Sequence, residues 1–332
     1  MKRTSKLFAY IFVFVLAFSL LCACSESGAA DGGTGGGTNG IVADTGSDVS
    51  EAVTVPDSSG MFTDADKTPS YDAASAVAIS IDGGAVTADS DTVSALGGKA
   101  TITKPGTYIV SGSGSNVTII VDVPSAITEK VRLVLSGASI VNDDFAAIYI
   151  KSADKTFIVL EGENSLAVTG SFAAIDYNKV DGVIFAKDNV VLQGEGSLTI
   201  TSSKHGIVGK DDVKITGGTI SVTAANHGIE ANDSVRVASA SLTIASGKNG
   251  IHVENIYDAT KGYFYMESGI LKITSGYEGI DASGAVEITG GTTDITSGDG
   301  SGKTLSSSDV STKVVKSSAD ILISGGEVST TG

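Results

Sequence analysis

The sequence predicts an all-β chain whose main domain is a right-handed parallel β-helix, and three observations carry that prediction. A Gly-Ile pair recurs at Gly206, Gly228, Gly250 and Gly279, at separations of 22, 22 and 29 residues. Apolar and polar residues alternate with period two between these pairs, and the alternating segments are rich in Val, Ile and Thr, which favours strands. A lap of about 22 residues holds three short strands closed by glycine turns, as in a three-faced solenoid.

The N-terminus has the pattern of a bacterial lipoprotein signal. A basic start precedes an apolar run at residues 7–21, and Leu21-Cys22-Ala23-Cys24 is typical of a lipobox. We therefore expect residues 1–23 to be removed and Cys24 to carry lipid, which would make the chain an extracellular lipoprotein anchored to the bacterial membrane. The alternative is an ordinary secretory signal with two incidental cysteines. No Cys follows Cys24, so we expect no disulfide in the exported domain.

Composition divides the mature chain into a linker and the solenoid. Residues 24–71 are rich in Gly, Ser, Thr and Asp and predict a flexible tether. Residues 72–332 form the predicted β-helix, with an N-terminal cap at about 72–138 and regular coils at about 139–332. Insertions at 255–262 and 298–318 predict loops on one side of the solenoid. The sequence stops in the middle of a lap, so we expect an incomplete C-terminal end.

The charge balance restricts the partners. The net charge is −16 and becomes more negative once the basic signal is removed. Nucleic acid is therefore not an expected partner, and a polyanionic ligand needs a bridging cation. We expect a monomer.

Several segments resemble a known family. They are Lys210-Asp211-Asp212-Val213-Lys214-Ile215-Thr216-Gly217-Gly218, Asn249-Gly250-Ile251-His252-Val253-Glu254-Asn255 and Tyr277-Glu278-Gly279-Ile280-Asp281-Ala282. They are similar to the clostridial carbohydrate-binding β-helix family over about residues 73–332. The resemblance implies a pectate-lyase-like fold, bound calcium, and binding of cellulose and of acidic sugars such as polygalacturonate; it implies no catalytic residue. The chain departs from the family pattern at His205 and His227, where the family usually has Asp before the Gly-Ile pair.

Stacked positions supply the predicted metal ligands. Equivalent side chains of successive coils lie about 4.8 Å apart. The position after each Ile is expected to collect Asp176, Val208, Glu230, His252 and Asp281, and the position two residues later Asn178, Lys210, Asn232, Glu254 and Ser283. Calcium takes six to eight oxygen ligands, so these columns and the resemblance together predict a calcium site. The candidate ligands are Glu230, Asn232, Glu254, Asn255, Glu278 and Asp281. The alternative is a solvated acidic face without an ion.

The histidines and one tyrosine are the other candidate ligand-binding residues. His205 and His227 are expected to stack, and such a pair could bind a transition metal or pack against a sugar ring. No third His or Cys lies in the same register, which favours stacked turn residues. The candidates for sugar contact are His227, His252 and Tyr277.

These features favour a non-catalytic polysaccharide-binding protein over two alternatives. A calcium-dependent lyase would need a Lys or Arg base, for which Lys204, Lys210, Lys248 and Arg236 are available. A passive surface stalk or adhesin would need only flat faces. The absence of Trp argues against the usual aromatic platforms for sugars but leaves calcium-bridged recognition of uronates open.

Overall fold

The computed structural model describes residues 58–174, 176–298 and 312–332. The predicted signal, Cys24 and most of the predicted linker lie outside these residues. Within the described ranges, no helix is both long enough and apolar enough to cross a membrane.

One wall of the solenoid is a ten-stranded sheet, named the short sheet below. Its strands are Val93–Leu96, Lys99–Ile102, Thr118–Asp122, Ile148–Ser152, Gly182–Ala186, His205–Gly209, Ile229–Ala231, Ile251–Val253, Ile280–Ala282 and Val315–Ser317. The first two strands pair antiparallel, and every later strand joins in parallel. The side chains of this sheet thus form columns that run along the solenoid.

An eighteen-stranded sheet forms the other two walls. The second wall consists of Lys155–Glu161, Asn189–Gly194, Asp212–Ile215, Ser234–Val237, Tyr263–Met266, Val286–Ile288 and Ile321–Ile323. The third wall consists of Glu163–Val168, Ser197–Ser202, Thr219–Ala224, Ser241–Ser246, Ile270–Ser275, Thr292–Ser297 and Glu327–Thr331. The long strand Val131–Asn142 pairs with Lys155–Glu161, the first strand of the second wall, and with Glu163–Val168, the first strand of the third wall. Gly106–Ser115, Val77–Gly83 and Ala85–Ala88 extend this sheet at its N-terminal end.

A regular coil contains three strands, as the sequence predicts. Ile229–Ala231, Ser234–Val237 and Ser241–Ser246 belong to one coil and contribute one strand to each wall. Ile229 pairs with Ile207 of the coil before and with Ile251 of the coil after, and all three side chains are fully buried. The all-β parallel β-helix is therefore confirmed, and its core consists of stacked aliphatic residues.

The Gly-Ile motif has a packing reason. A Cβ added to Gly228 would lie 2.7 Å from the carbonyl oxygen of Gly250 and would overlap the side chain of Ile244. Contacts this short are not tolerated by any real side chain, so only glycine allows the adjacent coils to approach each other at this corner.

The third wall presents a flat, hydroxyl-rich face to solvent. Its exposed outward side chains include Thr199, Thr201, Ser221, Thr223, Thr243, Lys272 and Thr274. These residues alternate with buried aliphatic ones along each strand, which is the pattern of a sheet with one solvated face. The Ser and Thr side chains keep this face polar with little charge.

Residues 58–71, which the composition assigns to the linker, lie against the second wall. This segment and the residues after it contain three short helices, Ser58–Gly60, Asp64–Lys67 and Ala73–Ser75. Met61 is buried against Tyr263 and Tyr265, and the Asp66 carboxylate accepts hydrogen bonds from lysines of the wall. The outer face of the second wall is thus partly covered, whereas that of the short sheet carries the stacked polar residues.

Candidate functional site

The outer face of the short sheet carries a central column of side chains, one from each of the nine strands from Lys99–Ile102 to Val315–Ser317. In order along the solenoid the column contains Thr101, Ile120, Tyr149, Phe185, Val208, Glu230, His252, Asp281 and Lys316. The expected stacking of Val208, Glu230, His252 and Asp281 is correct. The expectation for Asp176 is wrong, because the connection between Val168 and Gly182 is long and Asp176 lies within it.

A second column flanks the central one on the N-terminal side of each strand. It contains His205, His227, Asn249 and Glu278, each placed just before a glycine whose amide bonds to the next coil. A third column flanks the central one on the C-terminal side and contains Lys151, Lys187, Lys210, Asn232, Glu254 and Ser283. Asn178 is not part of this column, for the same reason that excludes Asp176.

All three histidines form one stack. The ring centroids of His205 and His227 are 5.1 Å apart with planes inclined by 16°, and those of His227 and His252 are 4.8 Å apart and inclined by 18°. The predicted pairing of the first two is confirmed. His252 joins them although it belongs to the central column, because adjacent columns are close enough for its ring to reach over His227.

The stack contains histidines with opposite pKa shifts. Burial, followed by the charges of His252 and His205, lowers the pKa of His227 to about 3, and burial also lowers the pKa of His205. Burial acts in the same direction on His252. There, however, the hydrogen bond with Asp281 and the nearby carboxylates outweigh it and raise the pKa. At neutral pH the first two rings are therefore neutral.

The predicted ligands Glu230 and Asp281 are engaged with cationic or polar partners. Lys210 Nζ lies 3.0 Å from Glu230 Oε1. Asp281 Oδ1 lies 2.9 Å from Lys316 Nζ, and Asp281 Oδ2 lies 3.2 Å from His252 Nδ1. The hydrogen bonds from His252 and Lys316 outweigh the effect of burial and lower the pKa of Asp281 to about 2. Both carboxylates are thus ionised at neutral pH.

Glu254 and Glu278 lie beside this group with different exposure. The Glu254 side chain is 61% exposed, whereas Glu278 is buried. The hydrogen bond from Lys316 to Asp281, followed by the charges of Asp281, Glu278 and Glu254, outweighs burial and raises the pKa of Lys316. Asp281 is therefore the direct partner of this ammonium group, and the other two carboxylates act on it through their charges.

The remaining predicted residues are more scattered. Asn232 is half-buried in the third column, and Tyr277 is half-buried at the turn just before Glu278. Asn255 lies at a different corner of the coil, where its side-chain amide donates a 3.0 Å hydrogen bond to Asp233. Asp281 is thus paired with Lys316, but in the described residues the three carboxylates of Glu254, Glu278 and Asp281 do not converge as a metal-ligand group, and Asn255 is separated from them.

A cleft lies at the N-terminal end of the same face. Its volume is about 440 Å³, and its lining includes Lys99, Phe145, Tyr149, Lys151 and Tyr177. Tyr149 donates a 2.6 Å hydrogen bond through its hydroxyl to Asp176, while the Tyr177 side chain is 91% exposed. The sequence shows these tyrosines but not the cleft, because the long connection that forms it has no repeat pattern.

Most candidate bases for a lyase reaction are held in ion pairs. Lys204 Nζ lies 2.7 Å from Asp181, Lys210 Nζ lies 3.0 Å from Glu230, and an Arg236 guanidinium nitrogen lies 3.0 Å from Asp212. Each of these three cations is therefore occupied by a carboxylate partner. Lys248 is half-buried at a bend.

Comparisons with known proteins agree with this architecture. A family model described as a carbohydrate-binding domain-containing protein matches residues 96–331. A protein of Acetivibrio thermocellus with the same description is 42% identical over 192 residues, which cover 56% of this chain and 66% of the relative's length. A solved structure, described as the gadolinium derivative of a polysaccharide lyase-like protein from C. thermocellum, superposes with a TM-score of 0.68 at 32% identity. That match covers 76% of this chain and 99% of the solved chain.

Proposed function

Because the chain belongs to the carbohydrate-binding domain-containing family, we propose that it binds an acidic polysaccharide on the outer face of the short sheet without cleaving it. The observation that carries this proposal is the cleft beside Tyr177. The exposed ring of Tyr177 offers an apolar surface for a sugar ring, and Lys99 offers positive charge for its carboxylate, while Lys151 is paired with Asp122 at 2.6 Å.

The third column adds further lysines beyond the cleft. Lys151, Lys187 and Lys210 come from three successive coils, about 4.8 Å apart per coil. Lys187 is exposed, and it has no ion pair with another residue of the described ranges. Regularly spaced ammonium groups suit a polymer that repeats a carboxylate, such as polygalacturonate.

Calcium is the proposed cofactor at the other end of the face. Glu254, Glu278 and Asp281 have carboxylate oxygens, which are the ligands that calcium prefers. The ammonium group of Lys316 now balances their charge, so it would have to withdraw when the ion binds. Bound calcium would supply positive charge for uronate carboxylates at a surface that is otherwise acidic.

The proposal includes the location of the protein. Cleavage before Cys24 and lipid attachment would place a monomeric β-helix outside the bacterial cell, with the remaining linker as a tether. Mass spectrometry of the protein from membranes would detect the lipid on Cys24, and a Cys24→Ser variant should be released from the membrane fraction.

A neutral polysaccharide such as cellulose is the second candidate. The observation that favours it is the flat hydroxyl face of the third wall, including Thr199, Thr223 and Thr243. A Thr223→Lys substitution would place a long charged side chain on this face. It should weaken cellulose binding but leave binding at the short sheet unchanged.

Isothermal calorimetry with polygalacturonate tests the main proposal. We expect saturable binding by the full chain with calcium, a loss of most binding with excess chelator, and at least tenfold weaker binding by Tyr177→Ala. The matched control is Tyr257→Ala, because Tyr257 is equally exposed but lies in the 255–262 loop. Binding that is absent with and without calcium would contradict the proposal. Release of unsaturated uronate products, seen as ultraviolet absorption, would support the lyase instead.

A further inference from the structure

The geometry points to a second metal site, for a transition metal of the zinc class, formed by His205, His227 and Glu230. This inference does not depend on polysaccharide or calcium binding. It concerns three residues at the middle of the short sheet, one coil or more from the acidic group around Lys316.

The three side chains converge. One ligand atom from each of His205, His227 and Glu230 lies within 4.8 Å of the other two, and they form such a group in the described part of the chain. Glu230 is bound to Lys210 through Oε1 only, and its other oxygen, Oε2, lies 3.5 Å from Nδ1 of His205. One carboxylate oxygen is therefore left to face the imidazoles.

Two ring nitrogens at this place are buried without a partner. Nδ1 of His205 and Nδ1 of His227 are inaccessible to solvent and make no hydrogen bond. His205 as a whole is only 6% exposed. An unsatisfied buried polar atom is costly, and one ion bound between the stacked rings and the carboxylate would satisfy both nitrogens.

The donor set matches zinc better than calcium. Two imidazoles and one carboxylate are a known zinc ligand set that leaves a fourth position open, whereas calcium takes oxygen ligands. Zn–N bonds are about 2.0–2.1 Å long, so the donors must close by roughly 1.5 Å. Rotation about side-chain bonds can provide this movement without a change in the coil.

A neighbouring carboxylate is placed to support the first ligand. Asp181 Oδ2 lies 3.8 Å from Nε2 of His205, and Asp181 Oδ1 is buried without a hydrogen bond. Histidine ligands of metals usually donate their second N–H to such a carboxylate, which fixes the ring. Ring rotation toward the ion would shorten this contact.

His252 is excluded from the ligand set although it stacks on His227. Its Nδ1 faces Asp281 at 3.2 Å, and its Nε2 lies 3.9 Å from Glu254. Both nitrogens are thus directed to carboxylates on the other side of the stack. This difference gives a matched control, since one of three stacked histidines is not expected to bind the metal.

Metal binding by the full chain tests the inference directly. The protein is purified without a polyhistidine tag, freed of metal with chelator and titrated with Zn²⁺ by calorimetry and with Co²⁺ by visible absorption. We expect one equivalent to bind, with the absorption bands of a four- or five-coordinate Co²⁺ and no displacement by a hundredfold excess of Ca²⁺. His205→Gln, His227→Gln and Glu230→Gln should each weaken binding at least tenfold.

His252→Gln should bind the metal within about threefold of the original protein. Circular dichroism of every variant verifies that the fold is intact. The inference is overturned if the folded original protein takes up no Zn²⁺ or Co²⁺. It is also overturned if His252→Gln weakens binding as much as His227→Gln, or if binding survives in the combined His205→Gln and His227→Gln variant.

Discussion

The carboxylate of Asp66 and the ammonium group of Lys214 form a buried ion pair, 2.8 Å long, across 148 residues of sequence. The other carboxylate oxygen lies 2.9 Å from Lys155 Nζ, and Asp66 is fully buried. The Asp66 backbone carbonyl also accepts a hydrogen bond from Thr216. Asp66 therefore contacts two strands of the second wall and the residue that follows one of them, and these contacts fix the N-terminal segment there.

We predict that Asp66→Asn destabilises the protein by about 3 kcal/mol, because removing one partner of a buried pair leaves uncompensated charge. Lys214 and Lys155 would both lose their carboxylate. Urea unfolding at neutral pH measures the change in the free energy of unfolding. Asp64→Asn is the control, since Asp64 is exposed on the same short helix. Equal effects of the two substitutions would contradict the assigned role of Asp66.

The same carboxylate predicts a loss of stability in acid. Burial raises the pKa of Asp66, but the hydrogen bonds from Lys214, Thr63 and Lys155 outweigh it and lower the pKa from 3.8 to about 2. Because the folded-state pKa is depressed, the stabilisation is present above about pH 4 and is lost as the pH falls toward 2. Between these limits the original protein should lose about 2 kcal/mol more than Asp66→Asn. Urea unfolding at a series of pH values tests this; parallel curves for the two proteins would contradict it.

Asp211 predicts the opposite pH dependence. Burial, followed by the hydrogen bond and charge of Asp233, raises the pKa of Asp211 to about 7. The folded state thus holds this proton more tightly than the unfolded state, and the associated stability is lost as the pH rises from about 4 to 7. We expect Asp211→Asn to stabilise the protein by about 1–2 kcal/mol at pH 8 in the presence of chelator.

The neighbouring residue is the control for this prediction. Asp212 lies 3.0 Å from the guanidinium group of Arg236, so Asp212→Asn should destabilise where Asp211→Asn stabilises. Thermal unfolding at pH 5 and pH 8 measures both. If Asp211→Asn stabilises the protein no more at pH 8 than at pH 5, Asp211 and Asp233 do not share a proton in the folded state.

The position of Lys316 leads to a prediction about calcium affinity, because its ammonium group would compete with the ion for the same carboxylates. Its ammonium group lies 2.9 Å from Asp281 and also feels the charges of Glu278 and Glu254. An ion bound by these carboxylates must displace it, so we expect Lys316→Gln to tighten calcium binding at least threefold in calorimetric titrations. Lys272→Gln is the comparison, because Lys272 is an exposed lysine on the third wall. Weaker calcium binding by Lys316→Gln would place the ion elsewhere.

The repeat made much of the fold predictable. The spacing of the Gly-Ile pairs locates the coils, and counting from each glycine correctly stacks Val208, Glu230, His252 and Asp281. Counting fails where the repeat is interrupted. The long connection after Val168 moves Asp176 out of the column, and Phe185 takes its place.

Contacts between columns or between distant segments were not predictable. The register assigns His252 to the central column, and its contact with His227 depends on the side chain reaching across to the second column. The sequence therefore did not predict the third ring of the stack. The N-terminal segment has the composition of a linker, and the partners of Asp66 lie 89 and 148 residues away. The sequence alone does not show that Met61 and Asp66 are buried against the second wall, because they lie in a stretch with the composition of a linker.

The glycine of the repeat gives the last prediction. A Cβ at residue 228 would overlap the Ile244 side chain and lie 2.7 Å from the Gly250 carbonyl oxygen, in a corner where two coils already touch. We expect Gly228→Ala to lower the free energy of unfolding by about 3 kcal/mol, since overpacking forces the backbone to move. Gly84→Ala is the matched control, because the nearest atom to its added Cβ is a carbonyl oxygen 4.0 Å away. Urea unfolding compares the two; equal stability of both variants would show that the corner has room for a side chain and that the Gly-Ile motif is not set by packing.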